Sequence, residues 1–478
     1  MTRNQRPLPH FENVEVIDAG SEGKAVARVG DLVIFVPFVV PGDVIDIQVI
    51  RKKRSFCEGK VTKIHTFSLR RAEPFCDHFG ICGGCKWQHV KYEDQLFYKQ
   101  KQVEDSLVRI GKISAPEILP IIASEKKQYY RNKLEYTFSN RRWLTESDVK
   151  GEVPEKEMNA LGFHIPGLFD KVLDIRKCYL QGDPSNDIRL FVRNYALSNN
   201  LSFYDVRNWT GLLRNIIIRN TSTGDLMVIV VFREELPEVI LPMLNAIINE
   251  FPVITSLFYV INPKKNDTLG DLEFRHFSGL TYMTESMPSF KGGQSNVIFR
   301  IGPASFYQTN SYQAVNLYQT TASFAGLTGT ETVYDLYTGT GTIANFIATS
   351  AGTVVGIESV APAIADARIN SQLNGFKNTR FFAGEAEKIL TPEFILENGS
   401  PEIIITDPPR SGMHEKVIRM ILEIKPRRIV YVSCNPATQA RDLLILSEAY
   451  RHIKSQPVDM FPHTQHVENV ALLELISQ

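Results

Sequence analysis

Short runs of alternating hydrophobic and polar residues, separated by Gly and Pro, open the chain. The clearest runs are Asn13–Ile17, Leu32–Val36 and Val44–Ile50. A period of two is typical of strands with one buried face, and several such strands about ten residues apart are typical of a small barrel. We therefore predict a β-barrel over residues 11–66.

The pattern from Pro74 to Ser289 is mixed and predicts an α+β region. A helical stretch follows a group of cysteines, and two hydrophobic runs, Asn215–Arg219 and Leu226–Phe232, flank the turn residues Ser222–Asp225. Two strands joined by a short turn that contains Gly are typical of a β-hairpin.

The C-terminal part of the chain alternates strands with helices. The predicted strands are Thr332–Leu336, Thr353–Glu358, Arg380–Phe382, Glu402–Thr406, Arg428–Ser433 and a final apolar run, Val470–Leu475. Alternation of this kind predicts a parallel sheet that is covered on both faces. Because ligands bind such sheets at the carboxyl ends of the strands, the residues after each strand are candidate site residues.

The length of 478 residues predicts about three domains. With 43% hydrophobic and 22% charged residues, the composition excludes disordered, collagen-like and coiled-coil proteins. The longest apolar stretch, Leu32–Val40, is far shorter than the ~20 residues of a membrane span. Because Met1–Pro7 leads into no apolar signal segment, we expect a cytoplasmic protein without membrane contact.

The net charge is zero, with 53 basic and 53 acidic residues, but the basic residues cluster in the first third of the chain. Eight Lys and Arg lie between Arg51 and Arg71 against one acid. A second basic stretch, Lys126–Arg142, is interleaved with the aromatic residues Tyr129, Tyr130, Tyr136 and Phe138. Basic side chains neutralise phosphates and aromatic rings stack on bases, so we predict that the first third of the chain binds RNA. The alternative is that these basic stretches form solvated charged surfaces.

Four cysteines are candidate metal ligands. Cys76, Cys82 and Cys85 form a C-x5-C-x2-C segment, and Cys178 follows about 90 residues later. Clustered thiols in an intracellular protein indicate metal rather than disulfides. Four thiolates suit zinc or an iron–sulfur cluster, and the single C-x2-C pair among nearby glycines favours the iron–sulfur cluster. Four candidate ligands indicate a closed, non-radical cluster. Zinc and coincidental thiols remain alternatives.

The first two C-terminal strands end in residues that suit a nucleotide cofactor. A Gly339-x-Gly341 turn lets a nucleotide approach the backbone, and Glu358, 17 residues further on, can accept hydrogen bonds from ribose hydroxyls. NAD would satisfy these two features as well.

The next two strand ends carry the motifs Asp407-Pro-Pro-Arg410 and Ser433-Cys434-Asn-Pro436. Methylation of uracil C5 requires a thiolate that adds to C6 and a base that later removes the C5 proton. Cys434 and Glu468 can supply these groups, whereas hydride transfer has no use for the cysteine. The alternatives are a buried structural thiol, a surface acid, or a metal site made by Glu468 with His463 and His466.

These motifs resemble the RNA uracil-C5 methyltransferases of the TrmA/RlmD type, over nearly the whole chain. The resemblance rests on Gly20–Arg28, the four cysteines, Phe306–Asn310 and the two Pro-containing motifs. It implies a multidomain α/β protein with an N-terminal TRAM (OB-like) RNA-binding barrel at residues 1–70. A central α+β domain with an iron–sulfur cluster and RNA contacts would occupy residues 71–295, and a Rossmann-like class I methyltransferase domain residues 296–478.

The resemblance also implies roles for individual residues. Cys434 would be the nucleophile and Glu468 the base. The S-adenosylmethionine site would contain Gln308, Tyr337, Glu358 and Asp407. The ligands of a [4Fe–4S] cluster would be Cys76, Cys82, Cys85 and Cys178. Thr338 departs from the family, whose members often have Cys there; that Cys is not the nucleophile.

Barrel and cluster together resemble the branch that acts on 23S ribosomal RNA, since the tRNA branch lacks both. We therefore expect a monomer that methylates a single-stranded or loop uridine of 23S ribosomal RNA, preferably U1939, with U747 or both sites as alternatives. Two other classes stay open: an amino-group methyltransferase, in which an aromatic residue usually stands where this chain has Arg410, and a non-catalytic RNA-binding assembly factor.

Overall fold

The computed structural model describes residues 8–149, 158–290 and 296–476. Residues 1–7, on which the signal-peptide prediction rests, and the predicted domain boundary at residue 295 lie outside the described residues. The chain divides into two units: Met1–Lys101 with Phe461–His466, and Gln102–Met460 with Val467–Gln478. The division into three domains stays a prediction.

The first unit contains a closed five-stranded barrel, which confirms the barrel prediction. Its strands, in the order β1-β2-β3-β5-β4, are β1 (His10–Ala19), β2 (Ala25–Val29), β3 (Leu32–Val36), β4 (Val44–Lys52) and β5 (Cys57–Thr66). Ala27, Ile34 and Ile47 are fully buried in its core. A Cβ at Gly59 would lie 2.4 Å from the Cγ2 atom of Ile47, so only Gly lets β5 pass this close to the core.

Helix α1 (Tyr92–Arg109) follows the cysteines, as the sequence predicts. In the first unit the segment Phe461–His466 is fixed to the chain before and within this helix. The amides of Lys86 and Trp87 both donate to the carbonyl oxygen of His463 at 2.9 Å, and Oε1 of Gln95 accepts from the His463 amide at 2.8 Å.

The second unit begins with a seven-stranded sheet of order β12-β11-β10-β9-β6-β7-β8. Its strands are β6 (Lys133–Ser139), β7 (Ala160–His164), β8 (Val172–Asp174), β9 (Leu213–Asn220), β10 (Leu226–Phe232), β11 (Ser256–Ile261) and β12 (Arg275–Gly279). The helices in this region are α2 (Glu146–Val149), α3 (Ser185–Ser198) and α4 (Pro237–Glu250). β9 and β10 pair antiparallel, which confirms the predicted hairpin.

The aromatic residues of the second basic stretch do not fit the interpretation that they stack on bases. Tyr130, Tyr136 and Phe138 are buried, the last two on β6 inside the sheet, and Tyr129 is 37% exposed. Three of the four rings therefore pack the protein core.

A strand pair, β13 (Met283–Met287) and β14 (Val297–Ile301), precedes the second seven-stranded sheet, of order β17-β16-β15-β18-β19-β21-β20. The strands of that sheet are β15 (Thr332–Leu336), β16 (Thr353–Glu358), β17 (Thr379–Ala383), β18 (Ile403–Thr406), β19 (Arg428–Ser433), β20 (Tyr450–Val458) and β21 (Glu468–Leu475). β15 to β19 run parallel, and β21 and β20 complete the sheet in antiparallel pairs. The predicted parallel sheet is present, and β20 is an additional strand.

The helices of this region are α5 (Ser311–Ala325), α6 (Thr342–Ile347), α7 (Ala361–Leu373), α8 (Ala386–Ile389), α9 (Pro392–Asn398), α10 (Glu415–Ile424) and α11 (Pro436–Leu446). Leu336, Ile404 and Tyr431 of the sheet share one buried core with Val417 and Leu443 of α10 and α11. Because β15 pairs with both β16 and β18, the strand order reverses there, and the carboxyl ends of β15 and β18 form the crevice where ligands bind in such sheets.

Within the described ranges, no helix combines the length and the apolar composition that crossing a bilayer requires.

Candidate active site at the carboxyl edge of the sheet

The turn after β15 holds an unusual backbone. Tyr337, Gly339 and Gly341 all have positive φ, at 63°, 57° and 72°. A Cβ at Gly341 would lie 2.8 Å from the Cβ atom of Ala367, whereas a Cβ at Gly339 would meet nothing within 4 Å. The turn therefore needs Gly341 for its own packing, and the space beside Gly339 is open to a ligand.

Glu358 at the end of β16 faces this turn. Its Oε2 atom accepts from the Gly339 amide at 3.2 Å, and its Oε1 atom accepts from the Val360 amide at 2.9 Å. The side chain is half-buried. These bonds orient a carboxylate at the strand edge, next to the open space.

Gln308 lies in a loop that is joined to the same turn. The hydroxyl of Thr340 donates to the carbonyl oxygen of Phe306 at 3.2 Å. The Asn132 side chain donates to the carbonyl oxygen of Gln308 at 2.8 Å, and Asn310 caps α5 through the Gln313 amide at 3.2 Å. The predicted residue Gln308 is thus buried beside the turn that carries Tyr337.

The two Pro-containing motifs are bonded to each other. The side chains of Asn435 and Thr438 both donate to the carbonyl oxygen of Arg410, at 3.0 and 3.1 Å. Asn435 also caps α11, accepting from the Ala437 amide at 3.2 Å. Arg410 and Cys434 therefore occupy neighbouring loops at the edge.

The antiparallel pairing of β19 with β21 brings Cys434 and Glu468 together. The last pair of this register is Ser433 with Asn469, so the residue that follows β19 is directed towards the residue that precedes Asn469 in β21. That next residue is Cys434, which is half-buried, and its counterpart is Glu468, which is buried.

Three carboxyl groups influence one another at this edge. Burial raises the pKa of Asp335 to about 7. Burial, and then the charge of Asp335, raises the pKa of Asp407 to about 7. Burial and the charge of Asp407 raise the pKa of Glu468 to about 8. Such shifts mark carboxyl groups that can exchange protons near neutral pH.

The thiol of Cys434 responds to the same charges. Burial, with the charges of Glu468 and Asp407, raises its pKa to about 11, while the charge and hydrogen bonding of Arg410 lower it. The resting group is a thiol, so its use as a nucleophile requires a base or added positive charge.

Two residues of the site were not predicted from the sequence. Asp335 lies inside β15, where its Oδ2 atom accepts from the Thr338 hydroxyl and the Ala344 amide. A lone acid in an apolar strand was the signal for it. Arg410 was noted only because amino-group methyltransferases usually have an aromatic residue there. Because 24 residues separate it from Cys434, the sequence carries no signal that its charge lies near that thiol.

The four candidate cluster ligands fall in both units. Cys76, Cys82 and Cys85 belong to the first unit and Cys178 to the second. In the first unit, the Gly84 amide donates to the Sγ atom of Cys82 at 3.4 Å. Over the described part of the chain, no group of three or more His, Cys, Asp or Glu is arranged to hold a metal ion. The cluster stays a prediction, and nothing supports the metal-site alternative for Glu468.

Known proteins resemble the chain over most of its length. The tRNA (uracil-5-)-methyltransferase family model matches residues 281–476. An uncharacterized RNA methyltransferase of Bacteroides thetaiotaomicron is 57% identical over 458 residues, covering 95% of this chain and 99% of the relative. One of Porphyromonas gingivalis is 55% identical over 467 residues, covering 96% and 99%. Among solved structures, the tRNA (uracil-54, C5)-methyltransferase of Pyrococcus abyssi in complex with S-adenosyl-L-homocysteine is 28% identical, with a TM-score of 0.73, and covers 96% of this chain and 100% of its own.

Proposed function

The chain belongs to the RNA uracil-C5 methyltransferase family, and we propose that it methylates C5 of one uridine in 23S ribosomal RNA, in the cytoplasm, through a covalent adduct on Cys434. The methyl donor of this RNA methyltransferase is S-adenosylmethionine. The observation that supports the mechanism is the strand register that sets Cys434 opposite Glu468 at the edge carrying Glu358 and Asp407.

The residues at the edge fit S-adenosylmethionine in their chemistry. The open space beside Gly339 admits a ligand close to the backbone, and Glu358 presents a carboxylate to ribose hydroxyls. The carboxyl groups of Asp335, Asp407 and Glu468 favour a cation and oppose the pyrophosphate of NAD. We propose that Gln308, Tyr337, Glu358 and Asp407 hold the donor.

The proposed reaction begins at the thiol. Cys434 gives its proton to water, and its sulfur bonds to C6 of the uracil, which turns C5 into an enolate carbon. When bound, S-adenosylmethionine supplies a methyl group on a sulfonium sulfur, which this carbon accepts. Glu468 then removes the C5 proton, the C5–C6 double bond forms again, and the sulfur leaves C6 with its electron pair.

The side chains of this chain also set the protonation of the nucleophile. Arg410 lowers the pKa of Cys434, and a cation bound among the carboxylates would offset the charges of Glu468 and Asp407 that raise it. The thiol would thus become reactive once the donor is bound, which protects the resting enzyme from side reactions.

The structural likeness to a tRNA enzyme bears on which RNA is the target. The tRNA enzyme of Pyrococcus abyssi covers 96% of this chain, so its alignment must include most of the barrel strands. A barrel by itself therefore does not favour a ribosomal RNA enzyme over a tRNA enzyme. A tRNA uridine is accordingly the second candidate substrate, favoured by this structural likeness.

Mass spectrometry of RNA from a deletion strain tests the function. We expect one 5-methyluridine to disappear from 23S ribosomal RNA and to return with the wild-type gene, but not with Cys434→Ala. Loss from tRNA alone would move the substrate to tRNA. Unchanged 5-methyluridine in both RNAs, or full rescue by Cys434→Ala, would contradict the enzyme and favour an assembly factor.

We further propose that Cys76, Cys82, Cys85 and Cys178 hold a [4Fe–4S] cluster. The donor set suits it, because these are four thiols, two of them buried, and the amide at Cys82 can stabilise a bound sulfur. Protein purified without oxygen should be brown and contain about four irons per chain, and Cys178→Ser should lose most of this iron. Stoichiometric zinc in a colourless, active preparation would exclude the cluster.

A further inference from the structure

Gln308 lies in an irregular segment between β14 and α5. This segment, residues 302–310, is described in full and contains no helix or strand; we call it the Gln308 loop. One short turn inside it joins Gly302 to Ser305, whose hydroxyl accepts from the Gly302 amide at 2.9 Å. Because the buried polar groups of such a loop must find partners elsewhere, residues outside the loop fix its shape.

The first of these outside partners is Arg219, near the end of β9 in the first seven-stranded sheet, which we call the central sheet. Its side chain is 3% exposed. Its two terminal nitrogens donate to the carbonyl oxygens of three loop residues at 2.9, 3.1 and 3.0 Å: Gly302, Pro303 and Ser305. Burial lowers the pKa of Arg219 to about 10, so the guanidinium is still charged at neutral pH. Hydrogen bonds from a charged donor are the stronger kind, and these three fix the first half of the loop.

The second outside partner is Asn132, which directly precedes β6. Its side-chain amide donates to the carbonyl oxygen of Gln308 and to the hydroxyl of Ser311, both at 2.8 Å. Its backbone amide donates to the carbonyl oxygen of Thr309 at 2.9 Å. Asn132 therefore holds Gln308 itself and the residues that follow it.

Arg219 and Asn132 are neighbours at one end of the central sheet. Lys133, the residue after Asn132, pairs with Arg219 in the register of β6 and β9. The Asn220 amide donates to the Asn132 carbonyl oxygen at 3.0 Å. Because strand pairing fixes the backbone of both residues, their side chains form one rigid support under the loop.

The Gln308 loop is also bonded to the part of the chain that forms the strand-edge site. The Phe306 carbonyl oxygen accepts from the hydroxyl of Thr340, which lies between Gly339 and Gly341, at 3.2 Å. The Asn310 side chain donates to the carbonyl oxygen of Met460 at 2.9 Å. The loop is therefore held between the central sheet and the turn after β15, and a shift of the loop would move Gln308 relative to that turn.

We propose that Arg219 and Asn132 are positioning residues for the methyl donor, which hold the Gln308 loop so that Gln308 can bind S-adenosylmethionine. The inference rests on the proposed function, because it takes Gln308 as a residue of the methyl-donor site. It adds to that site two side chains of the central sheet, outside the methyltransferase domain predicted at residues 296–478.

Calorimetric titration of the full chain with S-adenosylhomocysteine tests this proposal. We expect Gln308→Ala and Asn132→Ala each to weaken binding about tenfold, the typical worth of one hydrogen bond at the site. Because Asn132 acts through Gln308, the double variant should bind less than about twofold more weakly than Gln308→Ala alone. A loss that reaches the site by another route would instead add to that of Gln308→Ala.

Arg214 provides a matched control for Arg219, because both are buried arginines of β9 that hold a loop by its backbone. Arg214 donates to three carbonyl oxygens of the loop after β11: those of Asn262, Lys264 and Asn266. We expect Arg219→Met and Arg214→Met to lower the Tm to a similar extent. Only Arg219→Met should weaken S-adenosylhomocysteine binding, by about fivefold or more.

Asn378 provides the corresponding control for Asn132. Its half-buried side chain donates to the carbonyl oxygens of Ala348 and Ala351 at 2.8 and 2.9 Å, just before β16 and β17 begin. These bonds lie at the end of the sheet opposite to the strand-edge site. Asn378→Ala should therefore leave the affinity for S-adenosylhomocysteine unchanged.

Wild-type affinity in a folded Asn132→Ala protein, or additive losses in the double variant, would overturn the inference. The proposed function would still stand if Gln308→Ala weakens binding and wild-type protein methylates RNA. Equal losses of affinity in Arg214→Met and Arg219→Met would also overturn it, because the effect would then be a general loss of stability. If Arg219→Met does not fold, the double variant with Asn132 decides alone. Wild-type affinity in Gln308→Ala would contradict the proposed methyl-donor site itself, and the inference with it.

Discussion

At the scale of single residues, the site combines an uncharged thiol with carboxyl groups that are only partly ionised at neutral pH. Asp407 connects them, since its charge raises the pKa of both Glu468 and Cys434. Grouping acids in this way costs stability in the free protein. A bound cationic ligand would offset this loss of stability. The site therefore lowers the stability of the free protein and in return favours cationic ligands.

This cost makes stability depend on pH. The pKa of Asp407 rises from an ordinary 3.8 to about 7 on folding, so its contribution is complete below pH ~4 and is lost as the pH rises through 7. We expect Asp407→Asn to raise the Tm of the ligand-free protein by about 3 °C or more at pH 8.5 and to change it little at pH ~4. Thermal scans at both pH values measure this.

Glu385→Gln is the control, because a surface pair with Lys388 lowers the pKa of Glu385 and leaves no such cost to relieve. An Asp407→Asn protein that is less stable than wild type at pH 8.5 would mean that the carboxylate is structurally required.

The order of chemical steps separates Glu468 from Cys434. If Glu468 only removes the C5 proton, Glu468→Gln still adds the thiol and transfers the methyl group but cannot eliminate. A covalent complex with methylated RNA should then accumulate and survive denaturing electrophoresis, while turnover falls at least about 10³-fold. Cys434→Ala should form no complex.

Absence of the complex in Glu468→Gln, with intact fold and ligand affinities, would place Glu468 earlier, in deprotonating the thiol. Normal turnover would show that another group is the base, and His466 would be tested next.

At the scale of elements, hydrophobic pattern predicted the barrel, the hairpin and the parallel strands. It did not predict β20 (Tyr450–Val458), an edge strand whose sequence mixes charges with Pro457. Pro457 has no N–H to donate and is unusual inside a strand, so it hid β20 in the sequence. The side of β20 away from β21 is bonded to residues 117–122, where the Ile122 amide donates to the carbonyl oxygen of Pro457 at 2.9 Å. β20 matters because it closes the sheet beside β21, whose first residue is Glu468.

The sequence also did not predict which distant segments pair with each other. Cys434 and Glu468 could be identified by their motifs, but their opposition follows from the antiparallel register of β19 and β21. β6 lies beside β9, although about 75 residues separate them in the chain. Periodicity reports which face of a strand is buried, and carries no information about its neighbour.

The turn after β15 offers a test of what its glycines do. Gly341 and Gly375 both have positive φ, but only at Gly341 would a Cβ collide with other atoms. We expect Gly375→Ala to cost about 1–2 kcal/mol in the free energy of unfolding, from backbone strain alone. Gly341→Ala should cost about 3 kcal/mol or more and weaken S-adenosylhomocysteine binding at least tenfold.

Urea unfolding and calorimetric titration measure the two effects. Equal losses for both variants would show that the turn can move away from Ala367. Unchanged ligand affinity in a folded Gly341→Ala protein would place the cofactor elsewhere.

At the scale of the whole molecule, the net charge is zero, but basic residues and reactive carboxyl groups are concentrated in different units. The chemistry lies in carboxyl groups of the second unit, while the end of β4 and the turn after it carry four exposed basic residues, Arg51, Lys52, Lys53 and Arg54. Since the relatives that cover this chain are RNA methyltransferases, the first unit is the expected source of the long-range attraction for RNA.

Replacing these four residues by Gln tests this expectation. Each phosphate contact releases condensed counterions, so losing four should reduce the slope of log affinity against log salt concentration by about 3. At physiological salt the KM for RNA should rise about tenfold or more, while kcat and S-adenosylhomocysteine affinity stay unchanged, because the reacting groups are untouched. The matched control replaces four exposed basic residues of the second unit, Lys377, Lys416, Lys425 and Arg451, and removes the same net charge. If both quadruple variants lower the slope equally, the attraction depends on net charge, and the barrel has no special part in binding RNA.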